Sequence, residues 1–160
     1  MKKGFSLIEI LVSIAIIIII SGLGLQTFST ARQRSRLDED VAKVVFAIRQ
    51  AQNTALAPSK SETIGLNSNE SLCSIGVRLH SNNIIQPVYK KSITDNSCGS
   101  YTTYGTADKL NYSKFSTGNE IYFEFDIPFA NTSSNSSVTL SLGNLSKTVS
   151  INSIGLINVQ

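Results

Sequence analysis

The stretch Phe5–Leu25, FSLIEILVSIAIIIIISGLGL, limits what this chain can fold into more than any other feature. Glu9 is its one charged residue in 21 positions. As an α-helix at about 1.5 Å per residue it reaches about 32 Å, the thickness of a bilayer's hydrocarbon core. The successive isoleucines Ile16–Ile20 form helix poorly in water. In lipid, a single span must satisfy its backbone internally and is therefore helical. A membrane span is expected here.

Three kinds of N-terminus carry such a stretch. A secretory signal cleaved after Ser29-Thr30-Ala31 is disfavoured, because the apolar run exceeds the usual 7 to 15 residues and contains Glu9. An uncleaved signal anchor accounts for the length but not for Glu9. In the third kind the cut falls before the apolar helix, which is kept.

The sequence Lys2-Lys3-Gly4-Phe5-Ser6-Leu7-Ile8-Glu9 resembles the cleavage and methylation motif of the type IV pilin family at each defining position. The resemblance implies cleavage after Gly4 by a membrane prepilin peptidase and N-methylation of Phe5, which makes Glu9 the fifth mature residue. Elementary chemistry agrees. Glycine lets an extended backbone lie flush in a protease cleft, and Lys2 and Lys3 hold the leader on the cytoplasmic face. Arg32, Arg34 and Arg36 follow the span on the other side, so the motif rather than the charge count sets the orientation.

A carboxylate inside a bilayer costs around 2.5 to 3.5 kcal/mol on insertion scales, which makes Glu9 a functional candidate by default. Snorkelling to the interface explains how it is tolerated but not why it is there. The amine freed at Phe5 is positively charged near neutral pH. In a filament of staggered parallel helices, one subunit's Glu9 can meet its neighbour's amine, and such a pair fixes register more than it adds stability. The resemblance implies the same assembly role.

Beyond Leu25 the helical pattern continues. Leu37, Val41, Val44, Ile48, Ala51 and Ala55 form one apolar stripe, and Asp38, Asp40, Lys43, Arg49 and Gln50 are assigned to the opposite face. Ala57-Pro58 is the stop signal. One helix from Phe5 to about Ala57 is expected, of roughly 80 Å. Gln26 stands where many pilins have a kinking proline, and Gly22 and Gly24 are the places where the helix can loosen.

After Pro58 the period becomes two. Ile121–Ile127 alternates as a half-buried strand, and Val138–Leu142, Gly143-Asn144 and the return through Val149 and Ile151 read as a hairpin. Ser74–His80, Asn83–Lys90 and Ile154–Val159 are further strand candidates, with a surface loop over Asn131–Ser137. The expected fold is α+β: a long N-terminal helix, transmembrane then amphipathic, packed on an antiparallel β head. The divisions are leader 1–4, transmembrane segment 5–25, amphipathic continuation 26–57 and head 58–160. The segment Ala47–Gln52 and the closing Ile151–Ile157 are similar to the GspH/FimT-like branch of the family, whose heads carry two small sheets.

Sites for chemistry are scarce. His80 is the one histidine, C-x-x-C is absent, and no phosphate-cradling loop appears. No catalytic residue, metal or cofactor is expected. Asp38-Glu39-Asp40 reads as a solvated acidic patch, since neighbours on a helix point to different faces. With the head outside the cytoplasm, Cys73 and Cys98 are expected to form a disulfide that stabilises by roughly 3 to 4 kcal/mol. The formal charge of +3 falls to +1 without Lys2 and Lys3, which is no nucleic-acid footprint. DNA-binding FimT-like members carry arginines in a C-terminal motif, and Gly155–Gln160 has none. Nucleic acid is thus an open but unsupported partner.

The sequence is therefore read as a structural subunit, of the minor kind, of a type IV pilus or a type II secretion pseudopilus. Its expected partners are other pilin or pseudopilin subunits, the prepilin peptidase, the cytoplasmic membrane and the assembly platform. It would sit as a single-pass inner-membrane protein with its head outside the cytoplasm, then enter a periplasmic or surface filament. The alternative is a membrane-tethered extracytoplasmic binding protein, linked to DNA uptake, that uses a pilin-type signal without polymerising.

Overall fold

Apolar residues spaced three and four apart need a surface to lie on, and the stripe from Leu37 to Ala55 finds it on two sheets. The computed structural model describes residues 6–57, 64, 66, 70–92, 97–132 and 135–160, without the helix side chains of 23–27. The chain divides into two units, Met1–Ser35 and Arg36–Gln160. Helix α1 (Leu7–Leu56) contributes to both and is unbroken in backbone through Gly22 and Gly24. The expected start at Phe5 and stop at Pro58 lie outside the described residues.

The second unit holds all the strands among the described residues. Strands β1 (Ser71–His80), β2 (Ile84–Ser92), β3 (Thr102–Thr103), β4 (Asp108–Lys109) and β6 (Ile121–Asp126) make one antiparallel sheet. Its order is β3-β2-β1-β6, with β4 also on β2. Strands β5 (Lys114–Phe115), β7 (Ser136–Leu142), β8 (Leu145–Ile151) and β9 (Ile157–Val159) form the second sheet in the order β5-β7-β8-β9.

All six stripe residues are buried, in one core with Ile75, Val77 and Leu79 of β1, Phe123 and Phe125 of β6, Val138 and Leu140 of β7, and Val149 and Ile151 of β8. Pairing sets Ile75 opposite Phe125 and Val77 opposite Phe123, so the inward rows of β1 and β6 coincide. The hairpin forms as its turn chemistry dictates. Gly143 takes φ 61° at the first central position between the paired Leu142 and Leu145, which suits a type II′ turn.

Three departures from the sequence reading have local causes. Strands β3, β4 and β5 are two residues each, too short for a period to register. The expected strand from Ile154 begins only at Ile157, because Gly155 at φ 80° turns the chain and its amide bonds back to the Asn152 carbonyl at 2.9 Å. Strand β7 starts at Ser136, inside the expected loop 131–137, of which 133–134 lie outside the described residues.

The largest correction concerns Asp40, which is fully buried and no part of a solvated patch. It stands three residues after Leu37 and four before Val44, on the stripe itself. Its carboxylate accepts the amides of Asn111 (3.0 Å), Tyr112 (2.9 Å) and Ser113 (2.6 Å) and the Ser113 hydroxyl (2.8 Å). Arg36, one turn earlier, lies 4.9 Å from the centre of the Tyr112 ring. Together they clamp the segment leading into β5 onto α1. Burial works to raise the Asp40 carboxyl, but the bonds from Ser113, Asn111 and Tyr112 outweigh it and hold it below its ordinary value.

A depressed carboxyl contributes stability that is present above its unfolded value and lost as pH falls through the folded one. The chain in detergent should therefore lose stability on acidification below about pH 4. Asp40→Ala should cost about 3 kcal/mol by orphaning the buried Ser113 amide and hydroxyl and two partly buried amides, measured by denaturant unfolding. A variant as stable as the parent at neutral pH contradicts the clamp.

Candidate functional site

In the first unit, α1 over Leu7–Ile20 is apolar around its circumference apart from Glu9 and Ser13. Leu7, Ile8, Ile10, Leu11, Val12, Ile14 and Ile16 to Ile20 are all exposed, as is Phe28. Such a helix needs lipid or other helices as its environment. Among the described residues no helix is long and apolar enough to cross a membrane, the described side chains of this run ending at Gly22.

Glu9 sits in the first turn of α1, exposed, where a carboxylate complements the positive end of the helix dipole. The Glu9 amide bonds to the Ser6 carbonyl at 3.0 Å, and the Ser13 hydroxyl donates to the Glu9 carbonyl at 2.7 Å. These bonds engage the backbone of Glu9 and leave its carboxylate facing outward. Gly4 and Phe5 lie outside the described residues.

The second unit joins Cys73 and Cys98 in a disulfide, with Cα atoms 6.0 Å apart. Cys73 occupies a register shift in β1, between Leu72 paired with Lys91 and Ser74 paired with Lys90. The extra residue of such a bulge re-aims a side chain. The Gly99 amide bonds to the Lys91 carbonyl at 2.9 Å and continues the attachment.

The residues after this tether lie across the face of the first sheet turned away from α1. The Tyr101 hydroxyl donates to Glu124 at 2.6 Å, and its ring stacks on Tyr122 with centres 4.2 Å apart. Lys90 Nζ lies 4.3 Å from the Tyr101 ring centre and 2.9 Å from Glu124, which also accepts the Ser74 hydroxyl. Burial would raise the Glu124 carboxyl, but bonds from Ser74, Tyr101 and Lys90 lower it overall. Burial and the bond to Glu124 raise the Tyr101 phenol. Burial would lower the Lys90 ammonium, yet Glu124 and Tyr101 raise it. Further along that face, His80 Nε2 lies 2.7 Å from a Glu120 carboxylate oxygen, so the lone histidine is engaged by a side-chain partner.

Sequence reasoning missed this network. Alternation puts Tyr122 and Glu124 on one face of β6, but Lys90, Ser74 and Tyr101 arrive from other segments. Among the described residues no group of acidic, histidine or cysteine side chains could hold a metal ion.

A family model described as a prokaryotic N-terminal methylation motif matches residues 1–25. The chain carries the N-terminal methylation motif of type IV pilins. This pilin-like chain is also similar to the type IV major fimbrial protein FimA of Dichelobacter nodosus, 26% identical over 110 residues that cover 66% of this chain and 68% of that protein. No solved structure matches it. The α+β architecture is pilin-like as well, and the family is one of structural subunits rather than enzymes.

Replacing Cys73 and Cys98 by serine should lower stability by about 3 kcal/mol, read from denaturant midpoints against the oxidised parent. It should also bring the Tyr101 phenol back toward its ordinary value in an ultraviolet titration of tyrosinate. An unchanged titration separates the disulfide from the Tyr101 contact.

Proposed function

We propose that this chain is a structural subunit of a type IV pilus, inserted in the inner membrane, trimmed between Gly4 and Phe5, methylated at Phe5, and assembled through α1. The observation that carries the reading is a helix exposed and apolar on all sides directly behind the methylation motif. In water that surface is unfavourable at about 25 cal/mol per Å², so the helix belongs first in lipid and then among like helices. Residues 5–25 form the span, 26–57 continue it, and 58–160 form the head displayed outside. The likeness to a fimbrial protein favours a pilus over a secretion pseudopilus. A head of two small sheets suits the GspH/FimT-like branch and a minor subunit.

Glu9 sets the axial register. Moving between subunits in the membrane, its carboxylate is costly until it meets the Phe5 amine of a neighbour, and only one stagger pairs every charge. Neighbouring pilin subunits, the prepilin peptidase and the assembly platform are the partners of this reading.

Intact mass spectrometry of the mature chain should give a polypeptide beginning at methylated Phe5. Gly4→Leu should leave the precursor uncleaved. Glu9→Val should be cleaved normally yet be lost from sheared filaments. A mature chain starting after Ala31 sinks the proposal, and an indifferent Glu9→Val points instead to a membrane-tethered binding protein.

A further inference from the structure

An open sheet edge invites pairing with another chain, and proteins close such edges with charge, proline, bulges, shortness or cover. The outer strands of the first sheet are closed in these ways. Strand β4 carries Asp108 and Lys109, and β3 is two residues long. Strand β6 carries Glu124 and Asp126 and gives its Tyr122 carbonyl to the Ser136 hydroxyl. In the second sheet, β5 is two residues long and carries Lys114. The opposite edge, β9, is different. From Leu156 to Gln160 it reads Leu-Ile-Asn-Val-Gln, without charge or proline.

The register of β9 determines which of its backbone groups are free. Thr148 and Gln160 exchange both backbone bonds, at 2.8 and 2.9 Å, and the Asn152 amide bonds to the Leu156 carbonyl at 3.2 Å. Bonded positions alternate along an antiparallel pair, so Asn158 likewise turns its backbone inward, to Ser150. The intervening Ile157 and Val159 stand opposite Ile151 and Val149 and turn their amides and carbonyls outward. Among the described residues no strand lies beyond β9, and neither outward amide has a partner.

Beside this edge lies a cleft of about 380 Å³ lined by Arg49 and Gln52 of α1 and by Ile154, Gly155, Leu156 and Ile157. Its wall is held in place. Gln52 donates to the Gly155 carbonyl at 3.1 Å, and the Thr132 amide bonds to the Ser153 carbonyl. Gly155, at φ 80°, takes a conformation that favours glycine. Ile154 and Leu156 are exposed. No acid lines the cleft, and among the described residues Arg49 forms no ion pair.

We infer that β9 takes up an extended, acidic segment of a partner protein as an added strand of the second sheet, with a carboxylate of that segment on Arg49. The outward groups demand an extended backbone. Ile157 and Val159 each offer one donor and one acceptor at the two-residue spacing of a strand, which is the pattern of strand addition. The carboxylate follows from Arg49, whose planar fork takes a carboxylate through two parallel bonds. Neither requirement depends on how the chain is anchored or assembled.

The test uses the full chain in detergent micelles, with the end-blocked pentapeptide Thr-Val-Glu-Val-Thr as probe and amide NMR as readout. Titration to millimolar peptide should move the Ile157 and Val159 amide resonances downfield and leave Asn158 and Gln160, already bonded inward, nearly still. The same peptide with lysine for glutamate should bind several-fold more weakly, and Arg49→Glu should reverse that preference. Val159→Pro removes an outward amide without touching the inner ladder and should abolish the shift at Ile157. Where Val159→Pro does not fold, the Arg49→Glu reversal decides by itself. Resonances of Ile157 and Val159 that stay in place overturn the inference, as does equal binding of the two peptides by the parent chain. Shifts at these amides that grow with protein concentration in the absence of peptide also overturn it, because β9 then pairs with a second copy.

Discussion

One face of one helix serves two sheets. Val44 and Ile48 are fully buried between strands that do not pair with each other across the sheets, so the stripe on α1 is the common floor of the head. Both sheets, one of five strands and one of four, bury their apolar rows in the core to which this stripe belongs. Removing Ile48 to alanine in such a core costs about 2 to 5 kcal/mol, a large part of a domain's net stability. The head therefore depends on the half of α1 that is amphipathic, while the half that is apolar all round depends on other molecules.

Polar contacts fix what the stripe leaves free. Hydrophobic packing is non-directional, so it permits the sheets to slide on the helix. Asp40 removes that freedom by taking three consecutive amides from 111–113, and Asn83 does similar work at the β1–β2 turn. The Asn83 side chain accepts the Phe115 amide at 3.1 Å and its carbonyl accepts the Leu110 amide at 2.9 Å. On the far face, Glu124 gathers Ser74, Lys90 and Tyr101 from three segments, and the Cys73–Cys98 disulfide holds the last of them close. The buried Asp40 and the partly buried Asn83 and Glu124 have their bonds, which is the condition for tolerating them.

The division of labour along α1 matches a filament subunit. A helix without a polar side gives no preferred rotation among its neighbours, so register and orientation must come from elsewhere. In the filament proposed above, the Glu9 carboxylate in the first turn is assigned the former. The head carries ion pairs of Lys90 with Glu124, Lys91 with Glu70 and Lys147 with Asp38.

Local period and local chemistry were enough to read α1, its buried stripe, β1, β2, β6 and the β7–β8 hairpin, because each depends on spacing within a dozen residues. The motif around Gly4, Phe5 and Glu9 was legible for the same reason. Asp40 was within reach too, since its spacing from Leu37 and Val44 puts it on the stripe, but its acidic neighbours suggested solvent. The amides that make its burial tolerable lie more than seventy positions away. The Glu124 network, the bulge that aims Cys73, the two-residue strands and the pairing of loop with loop around Gly155 were decided by tertiary structure. Each joins residues far apart in the chain, and no spacing rule spans that distance: only the packed core determines which distant backbone groups meet.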